Sequence, residues 1–112
     1  MIKNATLLRI DAAGTPNAAG QTPYSNGPTI DVRCTLEPYN EQEYKLGATV
    51  KDVSAVLFIL WSDFDDLELN ENDRVTVLLD GAFGQTITYL VQLRRDRSKG
   101  ALSHYECFLK VE

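Results

Sequence analysis

The sequence predicts an all-β fold: a small, mainly antiparallel β-barrel of about six strands, with a long loop between the first two strands and at most one short helix. Three observations lead there. Short segments alternate apolar and polar residues with a period of two, as half-buried strands do. Gly- and Pro-containing turns separate them at short spacing. No amphipathic helical stripe of useful length and no internal repeat interrupts the pattern. The 112 residues suit a single domain spanning 1–112. Hydrophobic residues make up 44% and charged residues 24%, the ordinary globular range.

The elements follow in order. "ATLLRID" is the first candidate strand. Asp11–Pro28 follows, with six Gly or Pro residues and one large apolar-bodied side chain, Tyr24. It is the long flexible loop of the expected domain (11–28). In "TIDVRCTLEP", Ile30, Val32, Cys34 and Leu36 share one face. "NEQEYKLG", Asn40 to Gly47, is the one place for a short helix, with Gly47 where a C-terminal cap would stand. "SAVLFILW" is apolar on both sides, as a strand covered on both faces would be.

"DRVTVLL" alternates through Val75, Val77 and Leu79. "DGAFGQ" turns the chain. "QTITYLVQLRR" places Ile87, Tyr89, Val91 and Leu93 on one side, and Gln92 and Arg94 on the other. "RSKG" turns again, and "SHYECFLKVE" points Tyr105, Cys107, Leu109 and Val111 inward. The last three strands form a meander. The expected strand cores include Val32, Leu36, Leu57, Ile59, Val77, Val91 and Leu109.

Charge and composition weigh against several classes. The net charge is -5, whereas a free-standing nucleic-acid binder is usually basic. Cys34 and Cys107 are too few for a disulfide framework and lack metal-ligand spacing. Both fall on apolar faces and read as buried thiols, with a disulfide between them as the alternative. No run approaches the ~20 apolar residues of a membrane-spanning helix. "MIKNATLLRID" is too polar for a signal peptide, so the expected compartment is the cytoplasm of the producing cell. No catalytic motif is present, so neither an enzyme nor a cofactor is expected.

"SDFDDLELNEND", Ser62 to Asp73, carries six carboxylates. It lacks the glycine and spacing of a calcium loop, because Phe64, Leu67 and Leu69 interrupt it. It reads as a solvated acidic connection, and no metal is expected. His104, the only histidine, reads as a surface residue. Arg94, Arg95 and Arg97 gather near a hairpin tip. They suit contact with carboxylates of a neighbouring subunit or protein, such as those of the Asp63–Asp73 segment, or form a solvated tip. Leu90 and Phe108 sit on otherwise polar faces and suit a partner patch.

The layout resembles the small head-tail joining proteins of tailed bacteriophages, the head-closure or stopper family. A strand is followed by a Gly-rich loop and an alternating strand ending in "LEP". Then come "EQEYKLGATVKD", the apolar "SAVLFIL", the polar "LNENDRVTV", a Gly turn, "TYLVQLRRD" and "HYECFLKVE". The likeness runs from about Leu7 to Val111. "NDRVTV" followed by "YLVQLRRD" is the closest local match.

The resemblance implies a non-enzymatic structural protein of the virion neck, assembled in the host cytoplasm. It would form a homo-oligomeric ring, commonly six-fold, below the portal and connector proteins and above the tail terminator or tail proteins. The ring extends and closes the DNA channel and docks the tail. Packaged DNA passes without sequence-specific binding, and no membrane is involved. The long loop would line or gate the channel, with Gly14, Gly20, Tyr24 and Gly27 as its candidate residues. Having almost nothing to pack, it is expected to be mobile in the free chain and ordered in the ring. The alternatives are an idle surface loop and, for the whole chain, a monomeric OB-like β-barrel binding module.

Overall fold

The computed structural model describes residues 2–40, 52–81, 83–98 and 103–112. It has six strands: β1 (Ala5–Asp11), β2 (Thr29–Pro38), β3 (Ala55–Leu60), β4 (Arg74–Leu79), β5 (Thr86–Arg97) and β6 (His104–Val111). All pairings are antiparallel, and the order β1-β2-β3-β6-β5-β4 closes on itself through β1 and β4. Closure pairs the backbone groups that an open sheet would leave at two edges. The C-terminal meander β4-β5-β6 is as the turns predicted. The short helix expected over Asn40–Gly47 lies, beyond Asn40, outside the described residues.

Alternation sets the core. Leu7, Leu57, Ile59, Val75, Val77, Val91 and Leu109 have no solvent exposure. Val32 and Leu36 pack against this core but are only partly buried. Cys34 and Cys107 lie in it as free thiols, so the disulfide alternative does not hold. Burial pushes their pKa values up to about 11 and about 12, because the thiolate loses its hydration.

Two bulges redirect the pattern. In β1 the register shifts between Leu7 and Arg9. Leu7 faces Val77, and after the shift Ile10, not Arg9, comes opposite Val75 and packs on the core. In β5 the shift lies between Val91 and Leu93. One extra residue reverses every side chain after it. Leu93, expected inside, therefore pairs with Phe108 on the outer face, and Arg94, expected outside, pairs with Cys107.

That reversal corrects the expected exposure of Phe108. A second cluster of Val56, Phe58 and Phe108 sits on the outside of β3 and β6, with Tyr39, Val53 and Leu93 packed against it. Phe108 is fully buried there, its ring edge-on to Tyr39 at 6.3 Å. It is no exposed partner patch. The apolar outer face of β3 has the cover that its sequence called for.

Candidate functional site

The segment between β1 and β2 is a narrow ribbon rather than an unfixed loop. Ala13 and Tyr24 form a bridge. Gly14 N–H donates to Pro23 C=O (2.8 Å), and Ser25 N–H donates to Ala12 C=O (3.1 Å). At the tip, the Asn17 side-chain oxygen accepts from the amides of Ala19 and Gln21, both at 3.0 Å. Asn17 N–H donates to Gln21 C=O, and Gly20 turns at φ 79°. Short polar residues thus supply the turn chemistry themselves. These hydrogen bonds give the segment partners within its own chain, although no side chain between Ala12 and Pro28 is fully buried.

Two buried carboxylates clamp its feet. Asp11 Oδ1 accepts from Gly27 N–H and Arg9 Nε, each at 2.9 Å. Burial alone would raise the Asp11 pKa. The Arg9 and Gly27 hydrogen bonds, with the charges of Arg9 and Arg74, outweigh it and hold the group below its ordinary 3.8. Asp73 Oδ1 accepts from Ala13 N–H, and its Oδ2 accepts from Asn70 N–H, both at 2.9 Å. The ribbon is thereby tied to the turn before β4.

Tyr24 closes the other side. Its hydroxyl donates to Asn72 C=O (3.2 Å), and the Arg74 guanidinium lies 4.0 Å above its ring. Arg74 also pairs with Glu112. Gly27 is required by close approach: a Cβ there would stand 2.0 Å from Ile10 C=O. Between the ribbon, the start of β4 and the middle of β5 lies a groove of about 470 Å³, whose walls include Gly14, Asn72, Leu90 and Gln92. Leu90 is half-buried in it rather than a flat surface patch.

The arginines expected at a free hairpin tip are engaged within the chain. Arg94 Nη1 donates to the carbonyls of Leu67 (2.7 Å) and Leu69 (3.1 Å), and its guanidinium lies 4.4 Å above the Tyr105 ring. It meets the 62–73 connection, but through backbone carbonyls of its own chain. Arg97 Nε donates to Glu106 Oε1 at 3.0 Å, and His104 Nε2 lies 3.2 Å from the same oxygen. His104 keeps its outward-facing place, but its side chain is only 16% exposed and packs near the Phe58 ring. Arg95 lies 5.4 Å over the Phe108 ring.

The charge pattern is lopsided. Every described lysine and arginine except Arg95 faces a carboxylate of its own chain. Asp65, Asp66, Glu68 and Glu71 have no such partner among the described residues. Among those residues no group of three or more His, Cys, Asp or Glu is placed to hold a metal ion.

The sequence reading singled out Gly14, Gly20, Tyr24 and Gly27, and the fold gathers all four in the ribbon. It missed Asp11, Asp73, Arg74 and Asn17, which hold the ribbon. Only their positions at strand ends and in the loop could have pointed to them. No protein family, no curated protein and no solved structure matches this chain.

Proposed function

We propose that this chain is a structural subunit of the neck of a tailed bacteriophage, working as a six-fold ring between portal or connector and tail. The ring extends the DNA channel, closes it after packaging, and docks the tail. The observation that carries this reading is the ribbon. A closed barrel carries, between β1 and β2, a long, uncharged, hydrogen-bonded ribbon. That ribbon buries no side chain between Ala12 and Pro28, so it takes no core residues with it.

Charge supports the same reading. Cations that are already paired within the chain are poorly placed to hold phosphates, and the free carboxylates of the 65–71 segment repel them. Duplex passing such a surface slides rather than sticks. An OB-like module would instead show stacking aromatics beside free cations on one sheet face. Tyr89 and Tyr105 lie in the core, and Arg94 is spent on Leu67 and Leu69.

The test is co-assembly. Purified protein is mixed with DNA-filled heads that carry portal and connector but lack this subunit, and the vertex is viewed by electron microscopy. A ring of added density and restored tail joining are expected. Heads that take up no protein, and gain no tail-joining ability, would overturn the proposal.

A further inference from the structure

The turn between β4 and β5 carries a feature that the barrel does not use. Phe83 is fully exposed, at 106% of its reference area. Its φ is 54°, a left-handed conformation that a bulky residue adopts only under strain. Gly81 and Gly84 beside it turn at φ 72° and 76°. The root of this turn is firm. Asp80 receives two hydrogen bonds from Arg33, at 2.7 and 2.6 Å, and donates its backbone N–H to Asn4 C=O. A strained aromatic held out on a firm base, fully exposed among the described residues, suits a binding anchor.

The matching concavity is the groove under the ribbon. The β1–β4 register runs from Ala5 opposite Leu79 to Asp11 opposite Arg74. The Phe83 turn lies beyond the Leu79 end and the groove beyond the Arg74 end, roughly 20 Å apart along the strands. Phe83 therefore cannot reach the groove of its own chain. The turn from Gly81 to Gln85 carries no charge. In the groove, Asp73 is buried with both oxygens hydrogen-bonded, and Leu90, Gly14 and Pro16 offer apolar surface. Glu71 also lines the groove but is exposed, so an uncharged ring entering beside Leu90 leaves that carboxylate at the open rim, in water.

We infer that Phe83 of one copy inserts into the groove between the ribbon and β5 of the next copy, joining subunits head to tail. This rests on the ring reading above. A knob and a hole at opposite ends of one chain make a heterologous contact, which generates a ring when the rotation closes and a filament when it does not. The same contact would pack a neighbour's side chain against the ribbon, linking assembly to the ribbon's position.

The experiment uses the full chain with p-benzoylphenylalanine at position 83. Isotopically heavy and light copies are mixed across a concentration series, irradiated and mapped by mass spectrometry. Heavy–light adducts to Gly14, Leu90 or Gln92 are expected. In sedimentation, Phe83→Ser and the groove-filling Gln92→Trp should each weaken self-association by about tenfold or more, with the circular dichroism of the barrel unchanged. Adducts that are absent, or that lie on another surface, overturn the inference. So does a Phe83→Ser chain that associates like the parent. Electron microscopy separates this contact from the ring itself. Groove adducts within dimers or filaments keep the contact and remove the ring. Rings whose position 83 crosslinks elsewhere keep the ring and remove the contact.

Discussion

Among the described residues, the β1–β2 and β3–β4 connections are held in opposite ways. The β3–β4 connection, residues 61–73, is rich in carboxylates yet buries Leu67 and Leu69 in the core. Arg94 donates to the carbonyls of both leucines, and the Tyr105 hydroxyl donates to Asp65 C=O at 2.7 Å. The β1–β2 ribbon buries no side chain between Ala12 and Pro28, and is held by backbone hydrogen bonds and by Asp11, Asp73 and Tyr24 at its feet. The acidic connection is part of the fold. The ribbon is mounted on the fold. Polar composition does not distinguish them; two leucines do.

The largest expected effect lies in the acidic connection. Leu69→Ala removes a fully buried side chain and should cost about 2–5 kcal/mol in denaturant unfolding. An equally drastic change at the ribbon tip, such as Asn17→Ala, should cost less than about 1 kcal/mol, since the group is exposed. Equal losses would erase the distinction.

Arg94→Met comes next. It leaves two carbonyls without their donor and should cost about 1–3 kcal/mol in the isolated chain. Unchanged stability with failed assembly would return Arg94 to the role of a subunit contact.

Gly27→Ala marks where the barrel ends and the ribbon begins. The added methyl group meets Ile10 C=O, so β1 or the foot must shift, at about 1–3 kcal/mol. Hydrogen exchange should rise at the ribbon feet and stay unchanged in β3 and β6.

The smallest effect is on pH. The Asp11 pKa is lowered in the folded chain, so its contribution is complete above the ordinary 3.8 and is lost as pH falls through the lowered value. The Gly27 amide resonance should follow that titration below about pH 3.8. Asp11→Asn should abolish it, and a Gly27 resonance that titrates in the variant would place the cause elsewhere.

The difference between the two connections was half visible in the sequence. Strict alternation fixed β2, β4 and β6, because period two has one buried face. The two-sided apolarity of "AVLFIL" correctly announced cover on both faces of β3. Phe64, Leu67 and Leu69 were noticed as interruptions of a calcium-loop spacing; Leu67 and Leu69 are core anchors, and Phe64 packs against that core. The bulges could not be read. "YLVQLRR" keeps a plausible alternation straight through Gln92, and only the pairing with β6 shows that Leu93 and Arg94 have exchanged faces. From that one residue followed the misplaced Arg94 and the missed cover that Leu93 gives to Phe108. The ribbon was legible as a segment without core residues. Its clamps were not, since Asp11 and Asp73 are separated by 61 positions and meet the ribbon only in the closed barrel.

In the proposed neck role the ribbon does the work and is separable from the barrel. The direct measurement replaces Gly14–Pro23 by a short Gly-Ser turn joining Ala13 to Tyr24, and assays DNA retention in assembled particles. The feet stay intact, and the purified variant should keep the β-rich circular dichroism and the unfolding midpoint of the parent. Particles that lose their DNA or fail to join tails are expected. Full DNA retention and normal infectivity with the shortened ribbon would contradict it.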